Sequence, residues 1–175
     1  MKAWIPATLV AIVLAVGIGA AAYVSLGRGT SGSTFPSPTL DLHSDAAVIA
    51  AIKHYYDVES EARKTGNADL IDPVTLGHAS IASQNFHTYV AEQAALGRRS
   101  VTVAAYYSNW KVRVSGQSAT VFYLFWARGH DINSTTGAAI EADMTTTKGS
   151  YRMTLQLTSG TWLVAERDLL QDNVP

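Results

Sequence analysis

Residues 118–128 read SATVFYLFWAR. Apolar side chains occupy both odd and even positions of this segment, which is typical of a strand that is buried on both faces. The turn residues Ser115-Gly116-Gln117 stand directly before it, so the preceding residues are expected to pair with it as a hairpin. The segment therefore predicts the central strand of a sheet.

The segments on either side alternate between apolar and polar residues with a period of two, which predicts further strands. Residues 101–114 precede the central strand, and residues 151–158 and 161–170 follow it around a turn at Ser159-Gly160. Residues 129–150 are polar and rich in threonine. They predict either a long hairpin loop or a segment with a short edge strand.

The residues before the sheet have a helical period. Apolar side chains recur every three or four residues in segment 44–65, with Ser44 or Asp45 suited to cap its start and Gly66 to end it. A second helix is predicted from Asp72, with Pro73 in its first turn, to residue 96, and Gly77 leaves open an early break or a weak first turn. Helices followed by antiparallel strands predict an α+β domain, with two helices packed on a curved antiparallel sheet.

The N-terminal residues have a different character. Residues 3–26 contain no charged side chain. This charge-free run is long enough for a helix that crosses a bilayer. Segment 1–26 is therefore predicted to be a transmembrane anchor or uncleaved signal. The small residues Ala20-Ala21-Ala22 leave a cleaved signal peptide as the alternative, although the apolar run continues past them. The predicted location is the cell membrane, single-pass, with the folded domain on the extracytoplasmic side.

Residues 27–43 are dominated by Gly, Ser, Thr and Pro, and they predict a flexible linker to a domain at 44–172. The chain has no cysteine, which excludes a lipobox lipoprotein, disulfide bonds and thiolate metal sites. Its 13 basic residues are balanced by 14 acidic ones. A nucleic-acid partner is not expected, because such binding normally needs a basic surplus.

Several turns and element ends together resemble the NTF2-like, or cystatin-like, superfamily. The matching segments are residues 63–73, the Gly97 stop, the hairpin at 114–121 and the ending at 155–164. The resemblance implies a cone of sheet wrapped round helices. It is greatest to non-enzymatic modules tethered by one N-terminal span, including assembly domains of secretion and conjugation machines, and to a domain of plastid and cyanobacterial division proteins.

The resemblance also implies a cavity between helices and sheet, which isomerase-like relatives use for catalysis. Those relatives place a tyrosine on the first helix and an aspartate base deeper in the cone. Tyr55 lies where such a tyrosine could lie, and we keep it as a candidate pocket residue. Its place on the apolar stripe is equally explained by core packing, and Asp72 is explained by helix capping. No catalytic residue is predicted, and the chain is expected not to be an enzyme.

The histidines and the spaced charges of the helices predict no further chemistry. His78 and His87 are nine residues apart, which would put them on opposite faces of one helix. Neither a metal site nor a cofactor is therefore predicted. Glu59 and Arg63 are four residues apart on the first helix, where they are expected to form an exposed ion pair.

Aromatic residues cluster on the first two predicted strands. Alternation predicts that one set faces the helices and the other lies on the outer sheet face. Trp110, Phe122 and Trp126 form the first set, with Leu155 and Trp162 from the later strands; Tyr107, Tyr123 and Phe125 form the second. An exposed aromatic face is a common interaction surface. The second set is therefore the predicted binding surface, unless residues 129–150 fold over it.

The sequence favours a membrane-anchored, extracytoplasmic module that holds a protein partner or forms a homodimer in an envelope complex. The alternative is a small-molecule-binding or isomerase-like pocket in the same cone. An enclosed cavity with two or more converging polar groups would favour the alternative, whereas a cone filled with Tyr, Phe and Leu would favour assembly.

Overall fold

The structure is a computed structural model that describes residues 41–140 and 144–172. The predicted anchor at 1–26 lies outside the described residues, as does the linker up to residue 40. Among the residues that are described, no helix is both long and apolar enough to cross a membrane.

Three helices precede the sheet: α1 (Asp45–Thr65), a 3-10 helix (Ala68–Val74) and α2 (Ile81–Ala95). The Ser44 side chain accepts a hydrogen bond from the backbone N–H of Ala47 and caps α1. Gly66 ends α1 in the left-handed conformation with φ 72°, which glycine adopts without steric cost. Both predicted ends of the first helix are confirmed.

One continuous second helix from residue 72 does not form, and the early break left open at Gly77 is what the structure shows: Gly77, with φ 79°, lies between the 3-10 helix and α2. The 3-10 turn contains Pro73, and the chain then leaves the helical path because Thr75 bridges to Val164 on the last strand. The backbone N–H of Leu76 donates to the carbonyl of Val164 at 3.1 Å. The second α-helix starts nine residues later than predicted, where the side chain of Ser80 caps it.

Four antiparallel strands form one sheet in the order β1-β2-β3-β4. They are β1 (Arg98–Ser115), β2 (Ser118–Asn133), β3 (Thr145–Thr158) and β4 (Thr161–Asp172). Strands β2 and β3 extend far into segment 129–150, and Ile132 bridges to Ala139 within it. The α+β architecture of helices on a curved sheet fits the NTF2-like fold.

The core lies between the helices and the concave face of the sheet. Leu155 and Trp162 are buried there, as predicted. Trp110 is half-buried and packs against the same cluster. Phe122 is 42% exposed, so its predicted place in the core is wrong. Its buried neighbours Val121 and Tyr123 point to the opposite face of β2.

A β-bulge in β1 explains why the predicted faces were exchanged. Between Ser108 and Lys111 strand β1 advances three residues, while its partner β2 advances only two. The extra residue, Asn109, has a φ of 55°. A bulge reverses the alternation of side chains beyond it, so Tyr107 and Trp110 both face the helices, and their rings stack 5.8 Å apart.

The predicted outer-face position of Tyr107, Tyr123 and Phe125 is therefore wrong. Tyr123 is only 2% exposed, and Tyr107 and Phe125 pack against the core. Their rings surround Tyr56 of α1, with centroids 4.5–6.3 Å away. The outer face carries Tyr106 and Trp126 instead, with ring centroids 5.0 Å apart.

Candidate functional site

A cavity of about 510 Å³ opens between α1, α2 and the concave face of the sheet. We call it the cone cavity. Aromatic and charged side chains share its lining. The aromatic ones are Tyr56, Tyr89, Tyr107, Phe125 and Tyr151, and the charged ones include Asp57, Glu59, Arg63, Arg128, Asp131 and Arg167. The volume is within the range of small-molecule sites in proteins.

One buried carboxylate holds two arginines at this cavity. Arg167 on β4 donates from Nη1 to both Glu59 oxygens, at 2.9 Å to Oε1 and 2.8 Å to Oε2. Arg63, one turn along α1, donates from Nη2 to Oε1 at 2.7 Å. Glu59 itself is 3% exposed. Two guanidinium cations thus share one carboxylate, and the cluster carries one net positive charge.

The charges of this cluster stabilise one another. Burial alone would raise the pKa of Glu59, but the guanidinium groups of Arg167 and Arg63 outweigh it and hold the pKa below its ordinary value. The carboxylate is therefore ionised at neutral pH. Burial acts to lower the pKa of Arg167, and Glu59 together with nearby tyrosines raises it well above the ordinary value.

Aromatic rings fix the two guanidinium groups in place. The Arg63 guanidinium carbon lies 4.1 Å from the ring centroid of Tyr89. That of Arg167 lies 5.6 Å from Tyr56 and 5.7 Å from Tyr151. These are cation–π distances, and they hold the cations where the cavity lining is aromatic.

The tyrosines of the wall are neutral hydrogen-bonding groups. Tyr56 and Tyr123 share a hydrogen bond of 2.7 Å between their hydroxyl oxygens. Burial, together with the nearby carboxylates of Asp57 and Glu59, raises the pKa of Tyr107 to about 12. Burial likewise raises the pKa of Tyr151. Their hydroxyl groups therefore keep their protons at neutral pH and can donate to a ligand.

A smaller cavity of about 180 Å³ adjoins the first one and shares Arg63, Tyr89 and Ser100 with it. Arg98 and Arg99 also line this smaller cavity. Arg98 lies 3.6 Å from a carboxylate oxygen of Asp131. Within the described part of the chain, the buried Nε of Arg98 has no hydrogen-bond partner. This end of the cavity system is therefore also rich in guanidinium donors.

The predicted site residues separate into two groups. Tyr107 and Phe125 line the cone cavity, so they lie on its wall rather than on an outer surface. Tyr123 lies beneath that wall, where it bonds to Tyr56. Tyr55, the candidate pocket residue, is buried in the core and is not among the described residues that line the cavity. Its neighbour Tyr56 lines the cavity instead.

Three residues of the site were missed or misplaced. The expected exposure of the Glu59–Arg63 pair is wrong, because the Glu59 side chain is only 4% exposed. The spacing of the sequence did indicate that Glu59 is buried, because it follows Ile52, Tyr55 and Tyr56 at helical spacing on the buried stripe of α1. No comparable sequence pattern indicated that Arg167 faces the cavity. A second bulge reverses the alternation of β4 between Val164 and Glu166 and turns Arg167 inward.

The predicted separation of His78 and His87 is also wrong. His78 precedes α2 instead of lying within it, so the nine-residue spacing does not act on one helix. The two imidazole rings lie edge to face with centroids 4.4 Å apart.

Comparison with known proteins supports the fold. No family model matches the sequence, and no curated protein matches it. Among solved structures, the intermembrane-space region of the chloroplast protein ARC6 aligns with a TM-score of 0.53 at 15% identity, over 73% of this chain and 97% of that one. The protein Kfla4162 from Kribbella flavida aligns with a TM-score of 0.50 at 12% identity, over 74% and 94%.

A third match is a protein from Streptomyces avermitilis that is described as a candidate dehydratase of the NTF2-like family. It has a TM-score of 0.48 at 9% identity, over 71% of this chain and 95% of that one, which is too weak to carry an argument. At such identities the likeness of all three concerns the fold alone. The described residues therefore form an α+β domain that shares its fold with the ARC6 region and with Kfla4162.

Proposed function

We propose that this domain binds a small organic anion in the cone cavity. One observation carries the proposal: Arg63 and Arg167 line the cavity and share a single buried carboxylate, Glu59. Converging polar groups in a cavity of this size favour a ligand pocket over a purely structural cone. Binding without catalysis remains our expectation for the domain.

The charge balance specifies the sign of the ligand. Charged groups removed from water are costly unless they are paired. Glu59 compensates one of its two arginine partners. Asp57 and Asp131 also line the cone cavity, and the smaller cavity adds Arg98 and Arg99, so five arginines face three carboxylates across the two cavities. A carboxylate, sulfonate or phosphate on the ligand would supply the missing negative charge. The planar guanidinium group suits such oxyanions because it donates two parallel hydrogen bonds.

The aromatic side chains of the cavity wall indicate what the uncharged part of the ligand is like. Tyr107, Phe125 and Tyr151 face the same cavity as the two arginines. Flat apolar groups gain dispersion and ring–ring contacts against such a wall. An anionic head on a flat, largely apolar body therefore fits the cavity best.

We further propose that residues 1–26 anchor the domain on the extracytoplasmic side of a membrane. The charge-free run of residues 3–26 supports this. The relative ARC6 contributes an intermembrane-space region with the same fold. Mass spectrometry of the mature N-terminus is the test: an intact start at or near residue 1 supports an anchor, and a start at Tyr23 would show cleavage.

Filling the cavity should weaken ligand binding. Ala127 of β2 lines the cone cavity, so Ala127→Leu would place a larger apolar side chain there and would keep both arginines in the sequence. We expect the full-length chain to bind 2-naphthoate in calorimetric titration, and Ala127→Leu to bind it at least about tenfold more weakly. The control is Ala91→Leu on the exposed side of α2, which should bind like the wild type. Equal affinities of all three chains would place binding outside the cavity.

Protein assembly is the second candidate function, and its surface is the outer sheet face. Tyr106 is 64% exposed there, next to Trp126 and on the same side as Phe122. Exposed aromatic residues of this kind mark protein contacts. If the face mediates self-association, Tyr106→Ser with Phe122→Ser should convert a dimer to a monomer in analytical ultracentrifugation. A wild-type chain that is monomeric at high concentration would exclude the homodimer.

A further inference from the structure

We propose that Asp72, His78 and His87 form a binding site for a divalent transition-metal ion, best suited to Zn²⁺. This site lies at the junction of the 3-10 helix and α2, and none of its three residues lines the cone cavity. It is therefore independent of the proposed anion site.

Two contacts among the ligand atoms already have the length of an edge in a zinc coordination tetrahedron, although they end on different oxygens of Asp72. Nε2 of His87 lies 3.3 Å from Oδ1 of Asp72, and Nδ1 of His78 lies 3.4 Å from Oδ2 of the same carboxylate. One ligand atom from each of the three residues falls within 4.8 Å of the others. Tetrahedral zinc with bonds of about 2.0–2.1 Å has ligand–ligand edges of roughly 3.3–3.4 Å.

The chemistry of the three donors also selects the ion. Two imidazole nitrogens with one carboxylate suit Zn²⁺ and its neighbours in the transition series, whereas Mg²⁺ and Ca²⁺ prefer oxygen ligands. Three protein ligands leave a fourth position for water. Asp69 is near enough to reach that position by a side-chain rotation, since its Oδ1 lies 4.0 Å from Nε2 of His87.

A buried hydroxyl group holds the carboxylate in place. Ser83 is fully buried in the first turn of α2, and its Oγ donates to Oδ1 of Asp72 at 2.5 Å. Hydrogen bonds of this kind orient metal-ligating carboxylates and raise metal affinity. The late start of α2 matters here, because it leaves residue 78 in the preceding loop, where its ring can turn toward His87.

Zinc titration of the full-length chain tests the site. The chain should carry no polyhistidine tag and be stripped of metal with a chelator. We expect one Zn²⁺ to bind per chain, with excess Mg²⁺ unable to displace it. His87→Ala and His78→Ala should each weaken binding at least about tenfold. The control is His54→Ala, an exposed histidine of α1, which should leave the affinity unchanged.

Thermal unfolding provides the second measurement. Zn²⁺ should raise the melting temperature of the wild type and of His54→Ala, because it binds the folded chain, and should raise that of His78→Ala less at the same zinc concentration. The His78 side chain is exposed, so this variant is expected to fold. Absence of zinc binding by the wild type, or unaltered binding by both His78→Ala and His87→Ala, would overturn the proposal.

Discussion

Replacing Glu59 by Leu is expected to lower the free energy of unfolding by about 3–5 kcal/mol, the cost of breaking a buried ion pair by removing one partner. The loss would leave Arg63 and Arg167 next to each other without the carboxylate that both bind. Chemical denaturation of the full-length chain measures the change.

A matched control lies two residues further along α1. Glu61 is exposed and pairs with Lys64 at 3.5 Å. Because exposed ion pairs contribute little, Glu61→Leu should change the free energy of unfolding by less than about 1 kcal/mol. Similar losses for Glu59→Leu and Glu61→Leu would show that the buried cluster does not stabilise the fold as we describe.

The lowered pKa of Glu59 adds a pH dependence to the same comparison. A carboxyl group with a depressed pKa in the folded state stabilises the fold fully above its unfolded-state pKa. That stabilisation is lost as the pH falls through the lowered folded-state pKa. The difference in stability between wild type and Glu59→Leu should therefore shrink in strong acid. A difference that stays constant from neutral pH to strong acid would contradict this ionisation.

Replacing Trp162 by Ala is the second change with a large expected effect, about 3–5 kcal/mol, as for other buried aromatic residues. Trp162 is 5% exposed, and its Nε1 donates to the backbone carbonyl of Leu42 at 2.6 Å. The substitution would remove core packing from β4 and also the bond that holds the chain just before α1.

The control for Trp162 is Tyr106 on the outer sheet face. Its ring is largely exposed, so Tyr106→Ala should cost less than about 1 kcal/mol. Denaturant midpoints of the two variants measure the difference. Near-equal midpoints would contradict the assignment of the concave face as the core.

Local signals were enough to predict much of this fold from the sequence. The caps of α1 at Ser44 and Gly66 depend on one side chain and one backbone conformation, which nearby residues determine. The hairpins at residues 115–118 and 158–161 follow from turn residues between alternating segments. The order of the four strands follows from these hairpins, because consecutive antiparallel strands usually pair.

The side-chain directions could not be predicted, because bulges depend on long-range pairing. One extra residue at Asn109 exchanged the faces of the aromatic residues on β1. Another in β4 turned Arg167 toward Glu59. Alternation was applied as if every strand were regular, so the tyrosines of the cavity wall were assigned to the outer surface.

The charged cluster of the cavity could not be predicted either, because it also depends on contacts between residues far apart in the sequence. Glu59 and Arg63 fit the spacing of an ordinary surface pair, and the spacing alone does not reveal burial. Their third partner lies 108 residues away along the chain. The metal-binding cluster was missed because a continuous helix was assumed through residue 78, whereas the contact between Thr75 and Val164 interrupts it.

Two ligands of nearly the same shape that differ in charge show whether the cone cavity binds anions. Calorimetric titration of the full-length chain with 2-naphthoate and with neutral 2-naphthamide isolates the role of Arg63 and Arg167. We predict that the carboxylate binds at least about tenfold more tightly than the amide, because only the carboxylate supplies negative charge to the two guanidinium groups. Equal affinities, or tighter binding of the amide, would contradict an anion-binding cavity.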